Sequence, residues 1–343
     1  MRSLDFGRYA LFCSVSAAML AGCGGQQPPI GAPGAMAQTS ALATQADRGK
    51  SWMLPDAKSF DLLYVSDDDE LLVFSYPKGK LVGEINTPSG DLAGLCSDSA
   101  GDVFVPTAGS VSQSYIYEYA HGGTQPIATL TDPGEANGCA VDPKTGNLAV
   151  ANASSVGGSK DYYGDVAIFP NGEGTPSTYF DSAISSYDYC AYDSGGNLYV
   201  SAHDGPPDII GELPSGSGSF SNITLTEDIG PVSMQWVGSS LVVSSFANVQ
   251  SKFGPQPIYE ISVSGSTGVV SGPVLLHSPH DKNPYQPVQF WLQGDTMIGP
   301  DRVRGGNGLV NFWHYPAGGW PEKIIRRPGH AIGLYGVTMS KAK

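Results

Sequence analysis

Eight side chains in this chain have the type and setting to bind another molecule: Asn137, Tyr162, Tyr163, Asp188, His203, Asp204, Tyr285 and His330. Each stands in a loop or at the leading edge of a strand, where binding residues concentrate. The chemistry they offer is non-covalent: hydrogen bonds from the amide, carboxylates and imidazoles, and stacking or hydrogen bonding from tyrosines with an apolar body and a polar tip. Covalent routes are not legible. The chain contains no Gly-x-Ser-x-Gly elbow, no His-Glu-x-x-His, no Cys-x-x-Cys and no phosphate-binding glycine loop. The acidic run Asp67-Asp-Asp-Glu70 falls in a short hairpin without the ligand spacing of a calcium loop, so it reads as a solvated turn.

These residues are positioned by a phrase that returns. Asp188-Tyr-Cys-Ala-Tyr-Asp193-Ser-Gly-Gly-Asn197-Leu-Tyr-Val200 reads as two strands around a tight turn whose glycines and asparagine tolerate left-handed backbone angles. It recurs as Cys139-Ala-Val-Asp142-Pro-Lys-Thr-Gly146-Asn147-Leu-Ala-Val150 and as Cys96-Ser-Asp98-Ser-Ala-Gly101-Asp102-Val-Phe-Val105. The turn aspartates Asp98, Asp142 and Asp193 are expected to bond to their own turns. Aligning on the residue that ends the second strand gives Val65, Val105, Val150, Val200, Val243 and Gly299, spaced 40, 45, 50, 43 and 56 residues apart. A second phrase, as in Val73-Phe-Ser-Tyr-Pro77-Lys-Gly79 and Phe312-Trp-His-Tyr-Pro316-Ala-Gly318, marks a third strand and the turn into a fourth. A period in the forties with four strands per unit predicts an all-β, six-bladed β-propeller of four-stranded antiparallel blades.

The first unit starts directly on its second strand, Asp61-Leu-Leu-Tyr-Val65, while the chain ends in a lone strand within Gly333–Ser340. The C-terminal strand is therefore expected to close blade one and to leave the ring without an open edge. The loops between second and third strands are long, at 151–164, 202–208, 244–257 and 300–308, so their shared face is where binding is expected. The aromatic residues Tyr76, Tyr119, Phe169 and Tyr315 repeat with the blades and read as core.

Cys139 and Cys190 each stand three residues before a turn aspartate, whereas Cys96 is shifted by one and should face the other way. They read as small buried core residues. A Cys139–Cys190 disulfide is the alternative, if neighbouring inner strands approach closely enough.

With 45 glycines, 26 prolines, 15% charged residues and 41% apolar ones, the chain has the composition of many short strands and turns with a core. A net charge of −14 and a pI near 4.6 argue against nucleic acid as a partner. The N-terminus combines Arg2 and Arg8 with a short apolar run from Tyr9 to Ala21, ending in Leu20-Ala-Gly-Cys23. That phrase resembles the lipobox of bacterial lipoproteins. The resemblance implies that residues 1–22 are a signal peptide and that Cys23 is lipidated. Residues 23–51 would then form a lipidated cysteine and flexible tether, rich in Gly, Gln, Pro, Ala, Ser and Thr, and residues 52–343 would form the propeller. The implied address is the bacterial cell envelope, in the outer membrane or at the cell surface, as a membrane-anchored monomer.

The repeats also resemble the bacterial propellers that include NHL-repeat proteins, YncE-like surface proteins and the gluconolactonase/senescence-marker-protein family. In gluconolactonases a divalent metal at the channel mouth is held by a Glu, two Asn and an Asp, each opening an inner strand. Asn137-Gly-Cys-Ala-Val-Asp142 and Asp188-Tyr-Cys-Ala-Tyr-Asp193 match that family's Asn-Gly and Asp-Gly phrases, each five residues before the turn aspartate. The resemblance implies Asn137 and Asp188 as ligands of a hard cation such as calcium; no other cofactor is expected. The chain departs from the pattern at Ala93 in blade two and at Ile332-Gly333 in blade one, while Glu135 shares a loop with Asn137. Three functions follow. The leading one is a binding module for a protein or small-molecule ligand, acting through the long-loop face. The alternatives are a metal-dependent lactonase and a structural envelope protein.

Overall fold

The computed structural model describes residues 50–67, 70–157, 163–202, 209–245, 255–279, 289–301, 308–327 and 334–343. Among them the structure is strand and turn, with two short 3-10 turns. The first sheet contains β1 (Trp52–Met53), β2 (Leu62–Asp67), β3 (Glu70–Ser75) and β4 (Leu81–Asn86). The second is β5 (Cys96–Ser97), β6 (Val103–Pro106), β7 (Ser114–Tyr119) and β8 (Ala128–Asp132). The third is β9 (Gly134–Val141), β10 (Leu148–Ser155), β11 (Asp165–Phe169) and β12 (Ser177–Tyr179).

An eight-stranded sheet follows. It joins two antiparallel runs, β13 (Tyr187–Tyr192), β14 (Leu198–Ala202), β15 (Ile210–Leu213), β16 (Ser221–Leu225) and β17 (Pro231–Val237), β18 (Ser240–Ser245), β19 (Gln256–Ser264), β20 (Thr267–Leu276). The seam is a short parallel pairing of β16 with β20. The last sheet is β21 (Trp291–Gln293), β22 (Thr296–Asp301), β23 (Gly308–His314) and β24 (Lys323–Arg327). Finally β25 (Val337–Ser340) lies antiparallel along β2, with Leu62 opposite Ser340 and Val65 opposite Val337, so the two ends of the folded region share one sheet. β1, which adds itself outside β4, is a strand that the repeat did not reveal.

Burial explains the composition of these strands. Every residue of β2 and of β18 is buried, because the sheets pack face to face and a middle strand touches neighbours on both sides. Outer strands such as β16 are mostly exposed, with only Ile223 of its five residues buried. The apolar clusters lie between consecutive sheet units. Phe104, Ile116, Leu148 and Phe169 join the second and third sheets. Leu63, Phe74, Val310, Phe312, Val337 and Met339 join the last sheet back to the first. The arrangement is propeller-like.

The turn aspartates behave as expected. Asp98 Oδ1 accepts the Asp102 amide at 2.8 Å, Asp142 Oδ1 accepts Lys144 at 2.9 Å, and Asp193 Oδ1 accepts Gly195 and Asn197, both at 2.8 Å. Tyr119 and Phe169 are fully buried and Tyr76 and Tyr315 half-buried.

The cysteine pairing differs from the expected alternative. Cys96 and Cys139 are disulfide-bonded, with Cα atoms 5.6 Å apart, and Cys190 is free and buried. The one-residue shift of Cys96 is the reason. Cys139 and Cys190 occupy the same face of successive sheets, so both point the same way around the assembly and never meet. Cys96 points the opposite way, into the space between the second and third sheets where Cys139 arrives. Cys190 lies in the next interface, among Ala149, Val166 and Leu198.

Candidate functional site

The sequence candidates that fall on described residues are Asn137, Tyr163 and Asp188; Cys23, Tyr162, His203, Asp204, Tyr285 and His330 lie outside them. Asn137 is carried by β9 and Asp188 by β13, both half-buried. The two meet: Asn137 Nδ2 donates to Asp188 Oδ1 at 3.2 Å. Their strands come together because glycines line the approach. A Cβ on Gly138 would lie 2.6 Å from the Tyr189 ring, and one on Gly94 would lie 2.7 Å from the same ring. The Gly94 amide donates to the Asn137 carbonyl at 2.8 Å, joining the segment before β5 to β9. Tyr189 thus leans from β13 across two glycine backbones, and its buried ring fills the space beside the Asn137–Asp188 pair.

Tyr163 ends the long loop after β10. Its carbonyl accepts the Ser155 amide at 3.0 Å, and the next residue, Gly164, donates to Ser185 at 2.7 Å, just ahead of β13. Tyr163 and Gly164 therefore lie beside the segment that leads into β13. Tyr187 sits beneath them, its hydroxyl accepting the Asp181 amide at 2.7 Å, with its pKa pushed up mainly by burial. Burial also pushes the Cys190 thiol up to about 12, so at neutral pH it is a thiol and a poor nucleophile.

Two residues that the sequence did not single out shape this region. Gln289 places its side-chain amide where a strand would be: Oε1 accepts the amides of Leu95 at 2.7 Å and Val337 at 3.0 Å, and Nε2 donates to the Leu95 carbonyl at 2.5 Å. Gln235 repeats the device on Leu292, accepting its amide at 2.7 Å and donating to its carbonyl at 3.0 Å. Both act as peptide mimics that join inner strands too far apart for a ladder. The visible signal was only an amide side chain within an apolar phrase, Pro-Val-Gln289-Phe-Trp or Ser-Met-Gln235-Trp-Val.

The metal set implied by the lactonase resemblance does not fit. Asn137 and Asp188 converge, but Ala93 offers no side-chain oxygen, and its backbone is taken by Pro106 and by the Ser66 hydroxyl. Among the described residues no three His, Cys, Asp or Glu side chains gather as a metal-binding group.

No protein-family model matches the chain, and no curated protein matches it in sequence. Solved structures do. A chain of the nidogen/laminin complex is similar over 82% of this chain and 99% of its own, with 14% identity and a TM-score of 0.61. TolB from Acinetobacter baumannii is similar over 84% of this chain and 68% of its own, with 11% identity and a TM-score of 0.57. The β-propeller domain of Swd1 from Myceliophteria thermophila is similar over 82% and 86%, with 9% identity and a TM-score of 0.50. At these identities the likeness establishes the fold, a β-propeller, and nothing of the activity.

Proposed function

We propose that this chain is a lipid-anchored, extracytoplasmic six-bladed β-propeller that binds a protein or small-molecule ligand through its long-loop face. The blade count is supported by the sequence phrases and by the sheets. The eight-stranded sheet divides into two four-stranded runs at its parallel seam, and β25 with β2–β4 makes another. The lipid anchor rests on Leu20-Ala-Gly-Cys23, and an outer-membrane or surface address follows from it.

The observation that carries the binding reading is the convergence on one face of Asn137, Asp188 and the Tyr163 segment, set on a rigid glycine-packed base. An interaction role also suits the likeness to a chain found in a protein–protein complex. The test is a photo-crosslinking amino acid at Tyr163 of the full chain in its own envelope, against one at Lys144 in the short turn at the other end of the same sheet. Capture at Tyr163 alone is expected; capture at Lys144 alone would place binding on the wrong face. Palmitate labelling that survives Cys23→Ala would remove the anchor.

A further inference from the structure

A second polar cluster lies away from the Asn137–Asp188 pair, where the second sheet meets the third. β8 ends on Asp132, whose register partner in β7 is Ser114; β10 carries Asn152, whose register partner in β11 is Asp165. Asp132, Asn152, Ser155 and Asp165 are each 0% exposed. Asp132 Oδ2 accepts the Ser114 hydroxyl at 3.1 Å and the Gly134 amide at 3.0 Å. The Asn152 amide nitrogen stands between the two carboxylates, 2.7 Å from Asp165 Oδ1 and 3.5 Å from Asp132 Oδ1.

Two buried carboxylates thus share one neutral amide. Among the described residues neither is acted on by a lysine, arginine or histidine, and both are pushed above the usual carboxylate range, chiefly by burial, Asp132 to about 7. Asp165 further raises Asp132 by like-charge repulsion. Asn152 Oδ1 is buried without a hydrogen-bond partner, while the Ser155 hydroxyl acts on Asp165 as a hydrogen-bonding neighbour that partly offsets the effect of burial. Beside Asp165 Oδ2 the chain carries Gly157. A Cβ there would come within 3.3 Å of that oxygen and 3.5 Å of Ser155 Oγ, so the glycine leaves both oxygens clear on one side.

A buried carboxylate pair without a counter-charge is costly. Carboxylates, an amide carbonyl and a hydroxyl are hard oxygen donors, the kind that calcium takes in flexible geometry. Two of the four donors are carboxylates and the other two are the Asn152 amide and the Ser155 hydroxyl. We propose that Asp132, Asn152, Ser155 and Asp165 form a buried site for a hard divalent cation, calcium by preference, which fastens the middle strands of the third sheet to the outer strand of the second. The amide of Asn152 can turn over to present its oxygen, since the two orientations differ only in which atom faces the carboxylates.

The experiment is calcium titration of the chelator-treated full chain at pH 7.5, followed by calorimetry and by thermal melting, in wild type, Asp165→Asn, Ser155→Ala and Asp188→Asn. Wild type is expected to bind one calcium, and calcium at about 100 times its Kd to raise Tm by about 4 °C. Asp165→Asn should lose that shift and Ser155→Ala should weaken it, while Asp188→Asn should keep it. Two results overturn the proposal. One is no heat and no Tm shift in wild type at millimolar calcium, which would mean that the pair is neutralised by protons. The other is loss of binding in Asp188→Asn with retention in Asp165→Asn, which would move the cation to the Asn137–Asp188 pair. If Asp165→Asn fails to fold, Ser155→Ala carries the same distinction.

Discussion

Opening the Cys96–Cys139 disulfide tests how the sheets are held to one another. The bond closes a segment of 43 residues that spans the whole second sheet and fixes its inner strand to that of the third. Chain-entropy arguments assign a loop of that length about 4 kcal/mol at 25 °C, through restriction of the unfolded state. Replacing both cysteines with alanine should therefore lower the unfolding free energy by about 4 kcal/mol and Tm by about 6 °C for a folded region of this size. Cys190→Ala, which removes one buried sulfur and no cross-link, should cost about 1 kcal/mol. The assays are urea melts of the three proteins and non-reducing peptide mapping of the wild type. Mapping should link the Cys96 peptide to the Cys139 peptide and find Cys190 alkylated. A Cys139–Cys190 link would refute the facing argument outright, and a double variant as stable as wild type would refute the entropic one.

Further outcomes follow from the same structure. Gln289→Ala leaves the Leu95 amide and carbonyl and the Val337 amide without their partner, which should cost about 3 kcal/mol in a urea melt. Asp132, held at about 7 when folded and near 4 when unfolded, keeps a proton in the folded state that the unfolded chain has released. Its contribution to stability is then complete below about pH 4 and lost as the pH rises to about 7, on the order of 4 kcal/mol. In chelator-treated buffer the wild-type Tm should fall between pH 5 and pH 7.5 relative to Asp132→Asn; parallel profiles would show that Asp132 titrates normally.

Much of the fold was legible because propeller strands announce themselves locally. The turn phrases around Asp98, Asp142 and Asp193 need only their own neighbours, and β25 was visible as a strand without a sheet. What stayed hidden depends on how sheets face each other. Within the repeat Cys96 points away from Cys139, yet that opposition is what brings the two sulfurs together across an interface. Asp132, Asn152 and Asp165 come from three strands of two sheets, and each alone reads as an ordinary polar residue at a strand end. Only packing shows that they share a buried space. Of the binding candidates, Asn137 and Asp188 were legible as the places where the inner-strand copies stop agreeing. Tyr189, which fills the space beside them, was masked by its apolar strand setting.

The account depends most on closure by the C-terminal strand, since that pairing joins the two ends of the described sheets. Leu334, Val337 and Met339 are buried against the first and last sheets, and their burial contributes about 5–9 kcal/mol, comparable to the stability of a whole domain. Thermal unfolding of the chain ending at Gly333 is the direct measurement. Loss of a cooperative transition, or a Tm lower by about 10 °C or more, is the predicted result. A truncated chain that melts cooperatively at the temperature of the full one would contradict the account.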